Sequence, residues 1–231
     1  MDQNKIQELE HKLGVHFKNH DLLFEALTHR SYINERPDWH LNHNERLEFL
    51  GDAVLELVVT EHLFRNFNEP EGVLTSWRAA LVNSSMLAEI SQKIDLNGYI
   101  LLSHGEKKDL GRARQYILAN ALEAVIGAVY LDQGYEESKK FIEKTILPEF
   151  PRIIEQKLYK DAKSLFQEEA QERIGATPSY KVLDEWGPDH NKTFKVGVYL
   201  NEEIAGIGFG VSKQEAQQKA AEDALHKKEW E

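Results

Sequence analysis

Three carboxylates stand close together in Glu45-Arg-Leu-Glu-Phe-Leu-Gly-Asp-Ala-Val-Leu55: Glu45, Glu48 and Asp52. Their spacing is i, i+3 and i+7, which on an α-helix stacks all three along one stripe. Like charges stacked in this way repel, so the stripe asks for a compensating charge, and a divalent cation would supply it. A solvated acidic face is the plainer alternative. Leu47, Phe49, Leu50, Val54 and Leu55 give the same stretch a wide apolar surface. Gly51 interrupts it at a cost of about 1 kcal/mol relative to alanine, which suggests that something approaches the backbone closely there. A second pair, Asn120 and Glu123, stands at i, i+3 in an equally apolar stretch, with Gly127 four residues further on. If the two helices pack side by side, Glu48, Asp52, Asn120 and Glu123 bring four oxygen ligands to one place. Such a donor set suits Mg²⁺, with Mn²⁺ as a substitute, far better than zinc. The cation could polarise a phosphoryl oxygen and activate water near neutral pH.

The elements that must hold these residues are helical. Residues 3–13 carry Ile6, Leu9 and Leu13 on one side, and Asn19 can cap a helix from His20 to about His29. Residues 30–43 read as a loop, with Asn34, Pro37 and Asn42 as breakers. The acidic helix runs from about Asn44 to Phe67, a further helix spans 73–93, and the Asn120 helix spans Tyr116 to Asp132. Residues 135–158 form a last helical stretch, punctuated by Pro148 and Pro151. Between these helices, Asp95–Arg114 holds Gly98, Gly105 and Gly111 together with Lys107, Lys108, Arg112 and Arg114. Basic residues among glycines suit phosphate contact, and a solvated surface loop accounts for them equally well.

Beyond a polar connection at 157–163 the period changes. Ser164–Ile174 is helical, Tyr180 opens a strand, and Phe194, Val196, Val198 and Leu200 alternate with polar or small residues as a half-buried strand does. Ile204–Gly210 makes a third strand. Ser212 caps a final helix whose Ala216, Ala220 and Ala224 recur every four residues. The expected organisation is an all-α domain over 1–156, a linker over 157–163, and a small α+β domain of order α-β-β-β-α over 164–231.

The 231 residues are 41% hydrophobic and 29% charged, enough for one large domain or two smaller ones with a proper core. Without cysteine there are no disulfides and no thiolate zinc sites. No apolar run is long enough to span a membrane, and the first residues lack the apolar core of a signal peptide, so a cytoplasmic protein is expected. The net charge of −11 argues against indiscriminate nucleic-acid binding. Residues 1–161 carry 19 Lys and Arg against 26 Asp and Glu, and residues 162–231 carry 9 against 13, so any RNA or DNA contact must come from local basic patches.

The stretch Glu45-Arg-Leu-Glu-Phe-Leu-Gly-Asp52 resembles the signature of bacterial ribonuclease III. Leu27-Thr-His-Arg-Ser-Tyr32, Glu71-Gly72 and Ala119-Asn-Ala-Leu-Glu-Ala-Val-Ile-Gly127 match that family in order and spacing, and the tail is similar to its double-stranded-RNA-binding domain. The resemblance implies an all-α endonuclease domain and a metal-dependent endoribonuclease. It would cut double-stranded RNA to 5′-phosphate and 3′-hydroxyl ends with short 3′ overhangs, in ribosomal and messenger RNA processing. It also implies a homodimer, with Phe49 entering the partner subunit; alone, Phe49 reads equally well as core. By the same resemblance Glu48, Asp52 and Glu123 are metal ligands, and Glu45 and Glu71 act around the catalytic valley. Gln167 and Gln171 would touch one minor groove and the Gly187–His190 loop the next. Ser212, Lys213 and Lys219 would meet the phosphates between them. The chain departs from the family where an aspartate is usual and Asn120 stands: its carbonyl can ligate a cation, but it carries no charge. That departure, with the sparse lysines, leaves a binding protein that holds duplex RNA without cutting it as the alternative.

Overall fold

In the computed structural model, residues 3–108, 111–188 and 192–230 are described. The chain divides into two compact units, one ending at Tyr159 and one beginning at Lys160.

Two 22-residue helices organise the first unit: α4 (Glu45–Asn66) and α7 (Arg112–Gln133). Leu47, Val54, Leu55, Val58, Val59 and Leu63 of the former pack with Leu118, Leu122, Val125, Ile126 and Val129 of the latter in one apolar core. Around them lie α1 (Gln3–Leu13), α2 (His20–Leu27), α3 (Arg30–Glu35), α5 (Glu71–Val82), α6 (Ser84–Lys93), α8 (Tyr135–Thr145) and α9 (Phe150–Glu155). Asn19 caps α2 as its type and position suggest, accepting from the Asp21 amide.

Two expectations need correction. The 30–43 segment is not all loop: His29 Nδ1 accepts from the Ser31 amide and caps the short helix α3. Ring nitrogens are not among the usual capping groups, so the signal was easy to miss. The helix expected over 73–93 is two helices that meet at Asn83, whose backbone is extended. Its Oδ1 accepts from the Met86 amide at 2.9 Å while its Nδ2 donates to the Ala80 carbonyl at 2.9 Å. One side chain thus satisfies the end of one helix and the start of the next, which an unbroken apolar period does not reveal.

The second unit comprises α10 (Ala162–Ile174), β1 (Ser179–Trp186), β2 (Thr193–Leu200), β3 (Glu203–Gly210) and α11 (Lys213–Lys228). The strands form an antiparallel sheet in the order β1-β2-β3. Val196, Val198 and Leu200 alternate inward onto Phe166, Ala216, Ala220 and Ala224. The alanine period serves close packing: a Cβ on Gly208 would lie 2.2 Å from the Ala220 amide nitrogen. Within the segment expected to link the domains, Asp161 caps α10 through the Ser164 amide and accepts from Gln218. Among the described residues no helix is long and apolar enough to cross a membrane.

Candidate active site and RNA-binding face

The crossing of α4 and α7 is a glycine contact. A Cβ on Gly51 would sit 1.7 Å from the Glu123 carbonyl oxygen, and one on Gly127 would sit 2.2 Å from the Leu47 carbonyl oxygen. Only two missing side chains let these backbones meet, and the meeting point lies between Glu48 and Asp52 on one helix and beside Glu123 on the other. The acids therefore face one another across the crossing. Burial, with Asp52 and Glu48 nearby, pushes the Glu123 carboxyl up to about 8. Burial and the neighbouring Glu45 also raise Glu48, while a hydrogen bond from Asn120 opposes that rise. The Asn120 side chain accordingly lies close to Glu48 across the helix pair, where a second carboxylate would repel it.

The structure brings Glu48, Asp52, Asn120 and Glu123 together, with Glu45 at the edge. Glu45 is half-exposed and has the Arg30 guanidinium 3.5 Å and the His43 ring 3.8 Å away. Among the described residues no three acids or imidazoles already converge at ion-binding distance. The donor set is nevertheless one that a hard cation fits: three carboxylates and an amide carbonyl, all oxygen, on helices fixed by backbone contact. Glu71 is not brought to this site. It begins α5 and lines a cleft of about 470 Å³ with Thr60, Phe64, Leu74 and Arg78. Those α4 residues lie two to three turns beyond Asp52, about 12–18 Å along the axis at 1.5 Å per residue.

Phe49 is 81% exposed and Phe64 76% exposed on the same long helix, so neither is core in this unit. The cleft beside Phe64 is a feature that sequence reasoning missed. The available signal was a helix apolar on nearly every side, which requires cover on every side.

On the second unit, Gln167 and Gln171 line an open hollow on the outer face of α10 together with Ser164, Glu168 and Glu172. Ser212 caps α11 by accepting from the Glu215 amide at 3.1 Å, and Ser212 and Lys213 are exposed at the start of the helix. The Lys213 ammonium lies 5.7 Å from the centre of the Phe194 ring. Lys219 forms an ion pair with Glu215 at 3.0 Å. His190 lies outside the described residues.

A helical unit with acids gathered at a helix crossing, followed by an α-β-β-β-α unit, is the arrangement expected of a nuclease that works on duplex RNA. Comparison with known proteins agrees. Residues 19–150 match the Ribonuclease-III-like family and residues 162–228 match the double-stranded RNA binding motif. The chain is 46% identical over 222 residues to Ribonuclease 3 of Nitratiruptor sp., covering 96% of each chain. It is also 46% identical over 224 residues to Ribonuclease 3 of Geobacillus kaustophilus, covering 96% of this chain and 90% of that one. The solved nuclease domain of ribonuclease III from Campylobacter jejuni aligns with a TM-score of 0.57 at 44% identity, covering 63% of this chain and 99% of that one. That structure concerns flexibility in a region involved in dimer formation. The chain belongs to the ribonuclease III family, and its enzymatic class is that of an endoribonuclease with a double-stranded-RNA-binding domain.

Proposed function

We propose that this endoribonuclease hydrolyses double-stranded RNA with the help of Mg²⁺, which Mn²⁺ can replace, to give 5′-phosphate and 3′-hydroxyl ends with short 3′ overhangs. The observation that supports the site assignment is the Gly51–Gly127 crossing, where the helix of Glu48 and Asp52 meets the helix of Asn120 and Glu123. The carboxylates of Glu48, Asp52 and Glu123 and the Asn120 carbonyl would hold the cation. When bound, it supplies electrophilic polarisation of the scissile phosphate and activation of water. In the hydrolysis, a water oxygen bonds to phosphorus, the bond from phosphorus to the 3′ oxygen breaks, and that oxygen takes a proton. To hold the cation through its carbonyl, Asn120 keeps its amide on Glu48 and so orients that carboxylate. Glu45, beside Arg30, lies where the substrate backbone would pass the acid group.

The enzyme acts as a homodimer in this reading. Exposed Phe49 needs an apolar receptor, and the cleft beside Leu63, Phe64 and Leu74 on a second copy offers one of suitable volume. Docking there would carry Phe49 of one copy to Glu71 of the other and bring Glu71 toward the joint valley. The α-β-β-β-α unit holds the duplex through Gln167, Gln171, the 187–190 loop and the Ser212–Lys213 helix start. Lys219 lies one and a half turns further along α11. Ribosomal precursors and structured messengers in the cytoplasm are the substrates proposed.

Asn120 favours the second reading, a duplex-RNA binder that does not cut. The two are separated by incubating the purified protein with a long RNA duplex, with Mg²⁺ and with chelator, beside a Glu123→Gln control. Mg²⁺-dependent cleavage lost in Glu123→Gln supports the nuclease site; retained duplex binding without cleavage supports the binder.

A further inference from the structure

The basic stretch that precedes Asn120 belongs to neither the acid site nor the second unit, and it borders a cavity of about 500 Å³. The walls come from α1, from the 3-10 turn Leu96–Gly98 and the segment after it, and from the first turn of α7. Three cations reach this cavity, Lys5, Lys107 and Arg114, over a floor that includes the buried Ile100 and Leu102. Arg114 is its centre. Its Nη2 donates to Asn97 Oδ1, while its Nη1 is buried and has no hydrogen-bond partner among the described residues. Burial holds the guanidinium below its ordinary pKa, with Glu106 opposing that shift. Glu106 is the carboxylate that acts on Arg114, while Glu8 and Asp95 pair with Lys12 at 2.9 and 2.6 Å.

A guanidinium with one buried donor unanswered is costly unless an acceptor arrives, and an anion with several oxygens answers a guanidinium best. The apolar floor lowers the local permittivity and strengthens that attraction. We propose that the cavity of Lys5, Lys107 and Arg114 is a phosphate-binding site, separate from the acid site on the same helix. Arg114 precedes Asn120 by six residues, about 9 Å along α7 and some 240° around it, so the two look out from different faces. The phosphate is either a phosphodiester of bound RNA or a free phosphate. The RNA source rests on the nuclease reading; the free source does not.

The test uses the full-length protein with two probes. Inorganic phosphate is titrated by calorimetry and by ³¹P line width, and duplex RNA affinity is measured across a salt series without divalent cation. Wild-type protein should bind inorganic phosphate saturably, Arg114→Gln should abolish it, and Lys107→Gln should weaken it by about tenfold, the worth of one charge-assisted contact. If RNA supplies the group, Arg114→Gln also lowers duplex affinity and reduces the salt slope by about one. Saturable inorganic phosphate with an unchanged RNA slope assigns the cavity to free phosphate. Absence of both effects overturns the proposal whatever the protein does to RNA. Should Arg114→Gln not fold, Lys5→Gln with Lys107→Gln decides the matter, because both side chains are exposed.

Discussion

Asn120→Asp is the change that probes the proposed cation site most directly. It removes the amide that donates to Glu48 and adds a carboxylate facing Glu48, Asp52 and Glu123. A hydrogen bond to a charged group is worth about 1.5–3 kcal/mol. Side chains three residues apart on a helix stand about 5–6 Å apart, where two like charges at an effective permittivity of 20 repel by about 3 kcal/mol. Partial exposure and proton uptake reduce that sum, so the cation-free variant should be less stable by about 2–4 kcal/mol. Because Glu123 titrates toward about 8, its proton leaves as pH rises and the deficit should widen between pH 5 and pH 8. Adding Mg²⁺ should reverse the order: a fourth carboxylate tightens binding by about 10–100-fold, or 1.4–2.7 kcal/mol. Urea unfolding with chelator at several pH values, and calorimetric Mg²⁺ titration, measure the two halves. Equal stability together with equal Mg²⁺ affinity in parent and variant would refute the reasoning, because Asn120 would then neither orient Glu48 nor ligate.

Other outcomes follow from the same geometry. Gly51→Ala places a methyl group 1.7 Å from a backbone oxygen, so it should cost at least about 3 kcal/mol in denaturant unfolding and remove cleavage with it. Phe49→Glu should leave the fold of each copy within about 0.5 kcal/mol, since the ring is solvent-exposed, yet convert the protein to a monomer in sedimentation. An unchanged dimer would discredit the plug. Tyr135, Lys139 and Arg65 hold Glu61 down to about 2. Its contribution is therefore complete above about pH 4.5 and is lost as pH falls toward 2, so Glu61→Gln should flatten the acid limb of the stability curve. Lys213→Ala should weaken duplex binding at low salt and reduce the salt slope by about one; an unchanged slope would remove Lys213 from the interface.

Much of this chain is legible before any coordinates. The period of Leu47, Val54, Leu55 and Leu63 specifies a helix, the alternation from Phe194 to Leu200 specifies a strand, and Asn19 and Ser212 mark helix starts. These features depend on neighbours a few residues away, and sequence records such neighbours faithfully. The spacing of Glu48 with Asp52, and of Asn120 with Glu123, likewise fixes which acids share a stripe. Other features depend on partners far along the chain. Asn83 divides one apolar period into two helices through bonds that its amide makes to both. Arg114 acquires a buried, unanswered donor only because Asn97 and the segment after it fold over α7. Residue type alone lets Phe49 be read as core, whereas the packed unit leaves it exposed.

The acid stripe shows the division most clearly. Helical geometry alone aligns Glu45, Glu48 and Asp52, and Gly51 hints that something approaches closely, which the structure shows to be a backbone. That the backbone is the one carrying Glu123, and that Gly127 answers Gly51 there, is decided only when two helices separated by dozens of residues cross. Sequence determines the stripe, because i, i+3 and i+7 are local. Tertiary packing determines the site, because Glu123 meets Glu48 and Asp52 only when the two helices are brought together by the burial of their other faces.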